Sequence, residues 1–469
     1  MDNRFINRKK ETKWLKERYQ QAYKEGQLLI IYGKRRVGKT ELVKHFSKSK
    51  DLIYYLATRS SASDQLSSVT QTFTTHFGDS LSRTSFNNWR DLFKYIGSRL
   101  EVRKDPPIIV FDEFPYLVDS EDGMSSYFQY GWDEYLKDKK VLMIIMGSSI
   151  SMMYKHTLIY SSPLYGRRTG QWLLDAFSYE ESKEFYPNSS FGKTFPLYAI
   201  SGGIPAYLRV FDGELSLKEN IKKYVFPEGR FLSVEPELLL AGEFSDPRSY
   251  LSILKAIGLG RTKFSEIVNV TGIPATAMPG YLQTLMRLKL VKKEVPITDT
   301  LEEKSKKGTY SLADAFLRFY FSFIYPNNSL IKSGNYETVF ERQDGVLKAI
   351  LSKCYEEKSK EFIVKAMGQN KIPFFEKFGR WWNKNTEIDL IGLNERANSI
   401  LFAETKWNEK PLSLDVLGDL KQKSKEVIWG KENRKELFAL IAKGGFSDEL
   451  INVAKKENIL LIEEDKVKL

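Results

Sequence analysis

Between residues 28 and 150, short unbroken apolar runs alternate with stretches whose apolar positions recur at helical spacing. The runs 28–32, 52–56, 108–111 and 141–146 predict strands. Their lack of polar alternation predicts a parallel sheet covered on both faces by helices. The first half is therefore expected to be α/β. After about residue 195 helical patterning takes over, opened by the turn Ser201-Gly202-Gly203-Ile204-Pro205.

Asp246-Pro247 opens another unit, with helices expected over 250–257, 264–270 and 275–288 and a charged hairpin over 291–310. Three helices and a basic hairpin are the layout of a winged helix-turn-helix. A polar stretch, 326–335, precedes a last unit in which helices flank a strand pair, 387–393 and 400–406. There is no internal repeat and no low-complexity segment. The expected division is 1–195 for the α/β core, 196–244 for a helical lid, 245–330 for the winged helix, 331–345 for a linker and 346–469 for the last domain.

The turn after the first strand carries Gly33-Lys34-Arg35-Arg36-Val37-Gly38-Lys39-Thr40, with Glu41 opening the helix that follows. Strand, glycine-flanked loop and helix in that order form a P-loop. Its glycines let successive amides and the helix N-terminus cradle phosphates. Lys39 would reach the β- and γ-phosphates of ATP, and the Thr40 hydroxyl would ligate Mg2+. About 70 residues later, Ile108-Ile109-Val110-Phe111 ends in Asp112-Glu113, the Walker B arrangement. Asp112 would hold the Mg2+ and Glu113 would activate the attacking water, which favours hydrolysis over transfer to a second substrate. Gly147-Ser148-Ser149 ends the next strand, so Ser148 is a candidate γ-phosphate sensor, or simply a loop serine. Arg167 and Arg168 are candidates for stabilising transition-state charge, although an arginine pair on a loop is more often only solvated.

Composition adds limits. The 469 residues carry a net charge of +12, which permits nucleic-acid binding without requiring it. The single cysteine, Cys354, excludes an internal disulfide. The beginning of the sequence lacks the apolar stretch of a signal peptide, and the runs 141–146 and 316–325 are too short to cross a bilayer. A cytoplasmic protein without membrane contact is expected. His45, His76 and His156 have no metal-ligand spacing. The aromatic run 316–325 and the pair Trp381-Trp382 are read as packing.

The motifs, taken in order, resemble the archaeal-type ATPase family, P-loop NTPases related to the AAA+ and STAND groups. They are Phe5-Ile6-Asn7-Arg8 with Glu11, the P-loop, FDEF, GSS, PLYGRR and GGIPAYL, then Gly308 to Asp314 and Phe319 to Phe323. The resemblance implies that Arg8 and Glu11 lie near the adenine and that Arg167 is the functional arginine, acting in its own subunit or a neighbour's. It also implies a C-terminal domain of restriction-endonuclease-like, PD-(D/E)XK type.

That last domain allows a geometric expectation. If Leu393 pairs with Ile400, Asp389 falls opposite Glu404, and Glu404 and Lys406 share a strand face. Two carboxylates for Mg2+ and a lysine for water would then converge, with Glu356 as a further ligand. The plainer alternative is a surface salt bridge. Between Ser245 and Tyr310 eleven Lys and Arg stand against six Asp and Glu, concentrated near Arg287, Lys289, Lys292 and Lys293. That suits phosphate contact, but the helix 275–288 offers few base-reading side chains beyond Gln283 and Arg287, and winged helices also serve as packing modules. The expected function is an Mg2+-dependent ATPase coupled to DNA and a nuclease-like domain, in DNA processing or genome defence. A regulatory switch with an inactive docking domain is the rival, and a protein partner or self-association remains open.

Overall fold

The computed structural model describes residues 5–79, 86–244, 246–299 and 307–469. The chain divides into two compact units. One comprises Met1–Phe185, Ile204–Arg209 and Leu238–Ser245; the other comprises Tyr186–Gly203, Val210–Glu237 and Asp246–Leu469.

The first unit is built on a five-stranded sheet. Its strands are β1 (Gln27–Tyr32), β2 (Leu52–Leu56), β3 (Ile108–Asp112), β4 (Leu142–Gly147) and β5 (Gly170–Leu173), in the order β2-β3-β4-β1-β5. All pairings are parallel. Alternation along these strands divides the core. Leu29, Ile31, Val110 and Ile144 pack with Leu15 and Tyr19 of α1 (Lys9–Gln21) and with Leu42, Val43 and Phe46 of α2 (Lys39–Ser47). Ile30, Phe111 and Ile145 face Phe73 and Phe93 on helices Ala62–Phe77 and Trp89–Leu100. β1, β3 and β4 are buried almost throughout, which is why their sequences show no polar alternation. β5 escaped the sequence reading because it is a four-residue edge strand, half exposed, with a glycine at its start.

The second unit contains a mixed six-stranded sheet, ordered β13-β12-β11-β10-β9-β8. Its strands are β8 (Lys377–Trp382), β9 (Glu387–Asn394), β10 (Ser399–Lys406), β11 (Lys435–Ala442), β12 (Leu460–Glu463) and β13 (Lys466–Val467); the separate pair β6 (Val291–Glu294) and β7 (Thr309–Leu312) is antiparallel. β9 and β10 pair antiparallel with Leu393 opposite Ile400, the expected register, while β8 and β11–β13 extend the sheet beyond the expected pair. Helices Arg248–Gly258, Phe264–Thr271 and Met278–Arg287 precede β6. The hairpin expected over 291–310 includes positions 300–306, which lie outside the described residues, as does Ser245. The segment 331–345, expected as a linker, is largely helical: Tyr336–Gly368 is one long helix, with non-helical backbone only at Gln343. Phe316, Phe319, Phe321 and Phe323 are buried.

The hairpin is held within this unit by a charge on the helix Tyr336–Gly368 and by a backbone bond to β8. Glu357 accepts from Arg318 at 2.9 Å and pairs with Lys292 of β6 at 2.9 Å. Against the desolvation that burial imposes, these two cations hold the Glu357 carboxyl down at about 2. Ile297 N–H donates to the Arg380 carbonyl of β8 at 2.9 Å.

Candidate nucleotide and carboxylate sites

β1 ends at Tyr32, and the chain turns at Gly33, whose φ of 155° and close approach to the Leu174 carbonyl exclude a side chain; a Cβ there would sit 2.3 Å from that oxygen. The loop then feeds α2 through Gly38, at φ 92°. Lys39 is buried and folds back, donating to the carbonyls of Gly33 at 2.9 Å and Lys34 at 3.0 Å. Burial pushes its ammonium down to about 8, against the raising influence of Glu113, Asp112 and Glu243. Thr40 Oγ1 donates to Asp112 Oδ2 at 2.8 Å, and Glu113 N–H donates to Asp112 Oδ1 at 2.8 Å. The Tyr54 hydroxyl of β2 also donates to Asp112 Oδ2. Glu113 sits at φ 54°, a left-handed conformation unusual for glutamate. Its Oε2 accepts from Ser148 Oγ at 2.9 Å and Ser148 N–H at 3.2 Å.

Of these groups Lys39, Thr40, Glu113 and Ser148 border a cavity of 560 Å³, lined at the same part by Arg35, Arg36, Val37, Gly38 and Glu41. Phe5, Ile6, Phe177, Phe185, Pro205 and Ala206 supply an apolar part, with Arg8 and Arg209 also lining the space. A cavity with aromatic and cationic portions matches a nucleotide's base and phosphates. Hydroxyl and carboxylate oxygens already in contact at Thr40 and Asp112 fit the hard-donor preference of Mg2+.

Arg8, Glu11 and Arg167 have partners that the motifs do not reveal. Arg8 is buried and donates to the carbonyls of Val37 at 2.7 Å and Asp175 at 2.8 Å, and to Glu11 Oε1 at 3.0 Å. It ties the P-loop to the chain after β5, while Glu11 stands behind it and does not line the cavity. Arg167 does not line the cavity either; its guanidinium pairs with Asp133, with Nη2 3.1 Å from Oδ2. Asp133, on the helix Trp132–Leu136, captures it from outside the turn that carries the GRR motif, and that motif does not foretell the pairing.

Sequence reasoning missed Tyr54, Phe177, Phe185, Arg209 and Glu243. Arg209 directly follows the GGIPAYL motif, so that motif was its available signal. Glu243 accepts from Ser149 Oγ at 3.1 Å and Ser151 Oγ at 3.2 Å, just past Ser148, and burial raises its carboxyl. No local pattern marks it.

In the second unit, Asp389 and Glu404 are 9% and 4% exposed. Asp389 Oδ2 accepts from Thr405 N–H at 2.9 Å. Glu404 Oε1 accepts from Lys406 Nζ at 2.7 Å and from Lys423 Nζ, missed in the sequence, at 3.2 Å. Glu404 Oε2 is buried without a hydrogen-bond partner among the described residues. Glu356 pairs with Lys353 at 3.0 Å, and among the described residues no three His, Cys, Asp or Glu side chains are gathered to hold a metal ion. Burial, then the negative charges of Glu404 and Glu356, push the Asp389 carboxyl up to about 7. A carboxyl raised on folding loses stability as pH climbs from about 4 through 7. Asp389→Asn is therefore expected to stabilise the fold by up to about 4 kcal/mol at pH 8 and by almost nothing at pH 4, measured by thermal unfolding. An equal or lower melting temperature at pH 8 would contradict this.

Comparison with known proteins agrees with the geometry. Residues 5–211 match an ATPase domain found predominantly in Archaea, and residues 320–428 match a family of archaeal and bacterial proteins of unknown function. A Walker-type ATPase of Pyrococcus abyssi shares the fold with a TM-score of 0.50 and 22% identity, over 68% of this chain and 96% of that one. The protein is a P-loop ATPase. An uncharacterized protein of Methanocaldococcus jannaschii is 34% identical over 448 residues, covering 94% of this chain and 95% of its own. This chain belongs to the same family, one built on the archaeal-type ATPase domain. Among the described residues no helix is long and apolar enough to cross a membrane.

Proposed function

We propose that ATP hydrolysis in the first unit serves a second unit that contacts DNA through a winged helix and carries a nuclease-like site, in DNA processing or genome defence. In this reading the triphosphate lies along residues 33–40, cradled by loop amides and the N-terminus of α2. Lys39 exchanges its two carbonyl partners for the β- and γ-phosphates, and Arg35, Arg36 and Arg209 add positive charge. Glu113, held by Ser148, orients the attacking water and accepts its proton. Thr40 and Asp112 would hold Mg2+, which would neutralise charge on the phosphate oxygens.

For the second unit, the observation that carries the proposal is the buried, unpartnered Glu404 Oε2 beside Asp389, with Lys406 and Lys423 on the other oxygen. Such an oxygen suits a divalent cation, with Lys406 near the bound water. The test is DNA cleavage by the full chain with Mg2+ or Mn2+, with and without ATP. Wild type is expected to cut and Glu404→Gln to cut roughly 10-fold to 100-fold more slowly. A wild type that cuts no DNA under either metal would sink the nuclease assignment.

A regulatory switch with an inactive docking sheet is the second reading. It is favoured by Lys292 being engaged by Glu294 and Glu357, which occupies a lysine otherwise suited to phosphate. DNA-independent ATP turnover would support it.

A further inference from the structure

We propose that Tyr54 is a positioning residue for Asp112, fixing the carboxylate in the orientation that receives Mg2+. The inference rests on the assignment of Asp112 and Thr40 to the metal. β2 and β3 run parallel with Leu56 opposite Asp112, so Tyr54 stands two residues, about 6.6 Å, back along the neighbouring strand. Both side chains lie on the sheet face that α2 covers: Tyr54 packs against the buried layer that includes Val43 of α2, stands beside Val110 in the strand register, and Thr40 of α2 reaches Asp112 from that face. A tyrosine at that diagonal position reaches the carboxylate with its hydroxyl while its ring stays between strand and helix.

The hydroxyl is committed to that task. It donates to Asp112 Oδ2, the same oxygen that accepts from Thr40 Oγ1 at 2.8 Å, while Oδ1 accepts from Glu113 N–H at 2.8 Å. Three donors from β2, α2 and the residue after β3 therefore fix the carboxylate plane. The ring has its own anchor, since Lys44, one turn after Thr40 on α2, lies 4.9 Å from its centroid. Packing alone needs only the ring; the phenolic oxygen is spent on the acid. With Thr40 and Asp112 both given to Mg2+, the Tyr54 bond would be the one that continues to aim the carboxylate. An outer partner of this kind sets how well a ligand is presented and commonly governs metal affinity by 10-fold to 100-fold.

Tyr54→Phe removes the hydroxyl and keeps the ring. The readout is binding of a fluorescent ADP analogue, first in EDTA and then across a Mg2+ titration, with Asp112→Asn in parallel. For Tyr54→Phe, EDTA affinity should remain that of wild type, reporting an intact fold and P-loop, while the Mg2+ midpoint rises about 10-fold. If Asp112→Asn raises the midpoint and Tyr54→Phe does not, the positioning role is wrong and the metal assignment stands. A midpoint that falls in Tyr54→Phe also overturns the role, because the hydroxyl would then compete with the ion. If neither variant moves the midpoint, the metal assignment fails and takes the inference with it. Equal losses in EDTA and in Mg2+ would reduce Tyr54 to packing and likewise overturn it.

Discussion

Lys39→Ala is expected to weaken ATP binding roughly 1,000-fold, measured by equilibrium titration with a fluorescent ATP analogue. The lysine makes two hydrogen bonds to loop carbonyls, and a triphosphate offers stronger, charged acceptors in their place. Two charge-assisted contacts at about 2 kcal/mol each amount to that factor. Burial lowers the ammonium to about 8, against the raising influence of Glu113, Asp112 and Glu243. The sign of the pH effect follows. ATP favours the charged form, so binding above pH 8 takes up a proton and affinity falls as pH rises, by at most about tenfold per unit. Lys39→Ala should lose that dependence. A flat wild-type profile from pH 7 to 9.5, or tight binding by Lys39→Ala, would remove Lys39 from the phosphate site.

The parts of the molecule that were legible in the sequence are those set by local rules. Strands β1, β3 and β4 declared themselves because burial on both faces leaves no polar residue in their interiors. The meeting of Asp389 with the Glu404 strand followed from period-two alternation once Leu393 was paired with Ile400. What stayed hidden depends on tertiary folding. Phe177 and Phe185 follow the short edge strand β5, and Arg209 and Glu243 arrive from stretches that the first unit takes from later in the chain. Arg167 shows the converse. Its motif was visible, but the partner that decides its position, Asp133, lies on another element and carries no mark of the pairing. Motifs identify residue types suited to a reaction; burial and distant partners decide which of them the cavity keeps.

Glu113→Gln is expected to bind ATP nearly as wild type does while turning it over roughly 100-fold to 1,000-fold more slowly. Glutamine can keep both contacts of Oε2, since its amide oxygen accepts from Ser148 Oγ and N–H as the carboxylate does. The backbone cost of the left-handed position is unchanged by the swap. The substitution therefore removes little except the negative charge and the capacity to take a proton from water. Ser148→Ala tests the other half of the contact. It leaves the carboxylate and one of its two donors, so a smaller loss of roughly tenfold is expected. The two results together separate chemistry from orientation. If Glu113→Gln kept turnover within about threefold of wild type, general-base catalysis by this residue would be untenable. The contact between the left-handed glutamate and Ser148 would then only pin the residue that precedes the helix Phe114–Ser120 to the end of β4, a role that needs no carboxylate charge.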